Sequence, residues 1–179
     1  MNDNNIIPLK LRPHLVSFLM KELVGESRTF VGFKCSVHHI ERHSFIYNYL
    51  LENIEKTDYP IKDITGFNIF LNIKAKSRRR YIAAGNFYKV QGLGKSFVYL
   101  PEKFVDNIND LFEQQFRTTF YSYVLARAHD EDRKTNAIMS FIEKYDLFEV
   151  GVTQIQLRQL FYRISSTGIC SPLQGKLKR

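Results

Sequence analysis

An α+β fold is what the sequence predicts: a small antiparallel sheet with flanking helices, one long helix over about 102–128 and a C-terminal helix pair. Three observations lead to it. Apolar residues alternate with polar ones over 29–37 and again over 65–75, the period of a half-buried strand. From Phe104 to Tyr123 they recur instead at three and four residues, the period of a helix. Two shorter stretches with the same helical period then follow, separated by Gly151.

Taken in order, Pro13 suits the first turn of a helix, and Leu15, Phe18, Leu19 and Leu23 keep helical spacing as far as Gly25. Val31, Phe33, Cys35 and Val37 alternate with Thr29, Gly32, Lys34 and Ser36, which predicts one strand over 29–37. Ser44 is a capping residue for a helix with Ile46, Tyr49, Leu50 and Ile54 on one stripe, ended by Tyr59-Pro60. In the strand over 65–75, Phe67, Ile69, Leu71 and Ile73 share a face and Phe70 breaks the pattern. Tyr81 to Val90, with Ala84-Gly85-Asn86 at its centre, reads as a hairpin, and Lys95 to Leu100 as a further strand.

Pro101 opens the long helix, whose inward residues are Phe104, Ile108, Leu111, Phe112, Phe116, Phe120 and Tyr123. After the polar break at 129–134, a helix over 135–146 turns Ile138, Phe141, Ile142 and Tyr145 inward. Thr153 caps a last helix through Ile164 that carries Ile155, Leu157, Leu160 and Phe161. The domain reading is therefore an α+β body over 1–130 with a basic hairpin, a helix-turn-helix-like pair over 135–164, and a basic mobile tail over 165–179.

Length and composition bound the class. A chain of 179 residues with 44% hydrophobic and 25% charged residues is of single-domain size and far from the regime of disorder. Two cysteines, Cys35 and Cys170, are too few and too distant in sequence for a disulfide framework or a thiolate cage. The first residues have no basic n-region followed by a long apolar stretch, and no apolar run reaches the ~18 residues of a membrane span. The expectation is a cytoplasmic protein in a reducing compartment, with no membrane partner.

The net charge of +8 is unevenly placed. Residues 1–60 are neutral; residues 61–100 carry +7, with Asp63 their single acid; residues 101–150 carry −4; residues 151–179 carry +5 with no acid. Two basic blocks around an acidic one give a field with direction, which a polyanion can use. Within the first block, Lys74, Lys76, Arg78, Arg79 and Arg80 crowd into seven residues, followed by Tyr81, Lys89 and Lys95. Cations that close repel one another unless neutralised from outside, so phosphates are natural partners and the nearby aromatics can stack on bases. The bland alternative is a solvated loop. In the last helix Gln156, Arg158, Gln159 and Arg163 face outward; Gln and Arg are the side chains that pair bidentately with adenine and guanine edges. Any helix pair packed on a core shows the same pattern.

Other constellations fall short. Gly94-Lys95-Ser96 ends like a phosphate-binding loop, but Lys89 stands where the earlier glycine belongs and Pro101 follows a strand. His38, His39 and His43, near Cys35 and Glu41, have the wrong order for the zinc-protease helix, and Asp130, Glu131 and Asp132 are adjacent residues that diverge. No cofactor, metal or catalytic group is expected.

Ile7-Pro8-Leu9-Lys10-Leu11-Arg12-Pro13-His14-Leu15, Phe141-Ile142-Glu143-Lys144-Tyr145 and Leu160-Phe161-Tyr162-Arg163 resemble small uncharacterised proteins of phages and mobile elements of anaerobic gut bacteria. That resemblance implies a phage or mobile-element setting, and no activity. The function expected is non-enzymatic binding of nucleic acid, DNA first, by a basic hairpin that grips phosphates. The alternative is a phage structural or adaptor protein that assembles with its own copies or with other phage proteins through its basic and acidic surfaces.

Overall fold

The structure, a computed structural model, describes residues 6–30, 32–41, 44–57, 64–73, 97–128 and 131–167. In chain order the elements are β1 (Ile6–Leu9), α1 (Pro13–Glu22), β2 (Gly25–Phe30), β3 (Phe33–His39), α2 (Phe45–Asn53), β4 (Glu55–Thr57), β5 (Ile69–Asn72), β6 (Phe97–Tyr99), α3 (Glu102–Arg127), α4 (Glu131–Lys144), a 3₁₀ turn (Leu147–Val150) and α5 (Gln154–Thr167). This is an α+β protein with one long helix and a C-terminal helix pair. The described residues of Met1–Leu11 and Leu23–Ile108 form one compact unit, and those of Arg12–Glu22 and Asn109–Arg179 a second.

The first unit is built on a four-stranded sheet of order β1-β5-β3-β2. β1 pairs antiparallel with β5, and β2 with β3, but β3 and β5 run parallel, with Val37 opposite Phe70. The sheet is therefore mixed rather than wholly antiparallel: between β3 and β5 the chain passes through α2 and returns in the same direction, the kind of crossover a parallel pair needs. β5 lies between two strands, and Ile69, Phe70, Leu71 and Asn72 are all buried. Both its faces are covered, which explains why Phe70 departs from strict alternation. Asn68 fixes the approach to β5, accepting from the Leu11 N–H at 2.8 Å and donating to the Leu11 carbonyl at 2.7 Å.

Where alternation predicts a single strand over 29–37, the chain reverses. Phe30 pairs with Phe33, and Gly32 takes φ of +83°, a left-handed conformation open to glycine without penalty. A period of two continues unbroken through a tight turn, so the pattern alone cannot show the reversal. Within β3, Phe33 is exposed while Val37 is buried. β4 and β6 form a separate two-stranded ladder, Glu55 opposite Tyr99. Ser44 caps α2 as its position suggests, its hydroxyl accepting from the Tyr47 N–H at 3.1 Å. The buried face of α2 is Tyr47, Leu50 and Leu51, with Ile46 and Tyr49 only half-buried.

The second unit is helical. It holds α1, residues 109–127 of α3, α4, the 3₁₀ turn and α5. Periodicity gives α3 almost to the residue, because Ile108, Phe112, Phe116, Phe120 and Val124 form one buried stripe. Ile138, Phe141, Ile142 and Tyr145 are buried as expected on the next helical stretch. Phe141 is the centre of this core. Its ring meets Phe116, Phe120 and Tyr123 edge-on at 5.7, 5.1 and 5.3 Å between centroids, and Tyr145 at 4.6 Å. Aromatic pairs favour such tilted contacts, which bring positive ring edges onto negative faces. From α1, Phe18 joins the same cluster through Phe116 and Tyr145.

Replacing Phe141 by Ala removes a fully buried ring and leaves a cavity; chemical denaturation is expected to show a loss of about 3–5 kcal/mol. Phe45→Ala, at an exposed site, is the matched control and costs under about 1 kcal/mol.

Candidate nucleic-acid interface

α5 begins with a reciprocal cap. The Thr153 hydroxyl accepts from the Gln156 N–H at 3.3 Å, and the Gln156 side-chain carbonyl accepts from the Thr153 N–H at 2.8 Å. This Thr-x-x-Gln box satisfies two backbone donors that no helical carbonyl can reach. Leu157, Phe161 and Ile164, at i, i+4 and i+7, are the buried side, with Phe161 against Tyr121 at 5.2 Å. The helix also continues to Thr167, past the expected end at Ile164. Ser165 donates to the Phe161 carbonyl, and Ser166 and Thr167 both donate to that of Arg163.

Once that side is buried, the opposite one is fixed by helical geometry. Ile155, Gln159, Tyr162 and Ser166 fall in line at i, i+4, i+7 and i+11, with Arg158 on one flank and Arg163 on the other. All six are exposed, Ile155 at 69% and Tyr162 at 43%. Ile155 corrects the inward stripe read from the sequence. It lies two residues from Leu157, which in a helix turns it far from the 157/161/164 row, and that register was the available signal. Tyr162 is the side chain that sequence reasoning left out of the site. It follows Arg158 by one turn, and the Arg158 guanidinium lies 5.9 Å from its ring centroid.

α5 contains no acid, and Arg158 and Arg163 form no ion pair among the described residues. Several cations elsewhere are engaged internally. Arg12 meets Asp110 at 2.7 Å, Lys21 meets Asp146 at 2.6 Å, Arg28 meets Glu26, and Lys144 lies 3.5 Å from Glu22. Two donors converge on Glu113, which accepts from His14 Nε2 and from Arg117 Nε, each at 2.8 Å. The hydrogen bond from His14 holds this carboxyl at about 2, with Arg117 acting in the same direction and partial burial opposing both.

The expected site residues fare differently. Arg158, Gln159 and Arg163 share the exposed side of one helix; Gln156 is exposed, but its carbonyl is committed to the cap. Lys74, Lys76, Arg78, Arg79, Arg80, Tyr81, Lys89 and Lys95 lie outside the described residues. The link from α4 to α5 takes up residues 145–153, with Leu147 buried, Asp146 at φ 51° and Gly151 at φ 79°. A helix-turn-helix makes this connection in about 3–4 residues, so this link is longer than that motif's.

His38 and His39 do not converge, and His43 lies outside the described residues. His38 and His39 are neighbours on a strand and so project to opposite faces; His38 is hydrogen-bonded to Ser36 at 3.2 Å and His39 to Glu26 at 2.9 Å. Among the described residues no group of three or more His, Cys, Asp or Glu could hold a metal ion, and no helix is long and apolar enough to cross a membrane.

Comparison with protein-family models, with curated proteins and with solved structures finds no match to this chain.

Two measurements check this description. Because the Glu113 carboxyl titrates lower in the folded chain than in the unfolded one, its contribution is present above about pH 4.5 and lost as the pH falls toward 2, at most about 3 kcal/mol. Denaturation at successive pH values should show that acid loss in the parent and a flatter profile in Glu113→Gln. Gln156→Ala should cost about 0.5–1 kcal/mol by breaking the cap, read from chemical denaturation against the parent.

Proposed function

We propose that this protein binds nucleic acid through the phosphate backbone, without catalysing a reaction, and that the outward side of α5 is one of its contact surfaces. The observation that carries the reading is the contrast in how arginines are used. Arg12, Arg28 and Arg117 are spent on the protein's own carboxylates, whereas Arg158 and Arg163 stand on an acid-free helix with no such partner among the described residues. An unpaired guanidinium keeps its donors for phosphate oxygens, and each neutralised phosphate releases a counterion. The first basic block, with Lys74 to Lys95, supports the same reading through its charge of +7 over residues 61–100, as a further row of phosphate contacts. DNA is the expected polymer. The resemblance of residues 7–15, 141–145 and 160–163 to phage and mobile-element proteins supports a setting of that kind.

Fluorescence anisotropy with a labelled oligonucleotide tests this over a salt series. If six to eight phosphates are engaged, affinity falls by about 10³ or more between about 50 and 200 mM salt. Arg158→Gln combined with Arg163→Gln should reduce the slope of log affinity against log salt by about 1–2. Replacing Arg78, Arg79 and Arg80 by Ala should flatten it further. No binding at low salt, or a slope unaffected by both sets, would contradict the proposal.

A further inference from the structure

Resting on that reading, we infer that the strand held by α5 is single, and that Tyr162 is the platform on which one of its bases stacks. The exposed side of α5 is not simply cationic. Its centre is Ile155, Gln159 and Tyr162, two of them apolar or aromatic and well exposed, and the arginines occupy the edges. A duplex offers phosphates and groove edges but keeps the flat faces of its bases stacked on one another. A single strand exposes those faces, and an aromatic ring beside a guanidinium suits them, since every base has a π-face and the arginine can both stack and reach the adjoining phosphate.

The surroundings of Tyr162 favour this use. The Phe161 ring, buried against Tyr121, meets Tyr162 edge-on at 5.9 Å and backs it from within the core, while Arg158 approaches from the preceding turn. A ring so backed gives up little conformational freedom when a base is laid on it. α5 carries cations and no acid, a composition complementary to a polyanion.

The test uses the full chain with an oligothymidylate and a mixed-sequence duplex of equal length at the same salt. The single strand should bind at least several-fold more tightly, and Tyr162→Ala should weaken it roughly tenfold while leaving duplex affinity unchanged. Tyr162→Phe, which keeps the ring, should retain the affinity, and circular dichroism of each variant checks that α5 is intact. The chain has no tryptophan, so Tyr162→Trp introduces a single indole, excited selectively beside the tyrosines, whose emission the oligothymidylate should quench. Equal affinity for both polymers, or a Tyr162→Ala variant that binds the single strand as the parent does, overturns the stacking inference and leaves phosphate binding standing. Absence of binding to either polymer overturns both. A defined oligomer in light scattering whose formation Tyr162→Ala abolishes would assign the ridge to a second copy instead.

Discussion

Burial of Leu157, Phe161 and Ile164 is the constraint on which the functional reading depends. Those three side chains orient α5, and with the helix oriented, nothing about its outer side is left to choice: Ile155, Gln159 and Tyr162 form the ridge and Arg158 and Arg163 its borders. Phe161 is tied to Tyr121 of α3, and α3 in turn packs against α4 through the rings around Phe141. The aromatic core of the second unit thus determines which charges the solvent meets. A weakened core would change α5 without touching any of its exposed residues.

Charge is the second thread. A surplus of +8 says little about a surface until it is known which cations are already neutralised. Around Glu113 and Asp110 the protein satisfies its own charges at close range, with His14, Arg12 and Arg117 converging on two acids. Such clusters serve local structure, fixing the start of α1 beside α3. α5 has no acid with which to do the same, and a helix of that composition keeps its potential for an outside partner.

Much of this was legible in the sequence where one physical signal dominated. α3 runs long enough for its period to be unmistakable, and the Ser44 and Thr153 caps declare themselves by residue type. What escaped has a common cause, since tertiary neighbours decide it. The reversal between Phe30 and Phe33 preserves the alternation, so a hairpin and a single strand look alike until pairing is known. Burial of both faces of β5, and its parallel pairing with β3, come from neighbours remote in the chain. At the candidate site the polar outward residues were readable, but the ridge between them was not. Ile155 is apolar, and a residue of that kind is assigned to a core until a better buried row, here 157/161/164, displaces it, while Tyr162 receives neither an inward nor an outward place from the sequence pattern.

Backbone amide shifts of the isotope-labelled full chain, titrated with an oligonucleotide at low salt, give a residue-by-residue footprint of the contact. Among the residues described in the structure, the largest changes are expected between Ile155 and Ser166, strongest on the side of Tyr162 and flanked by Arg158 and Arg163. Saturable binding that leaves those amides unmoved would overturn the proposed contact, for the acid-free helix that carries Arg158 and Arg163 would then have no part in it.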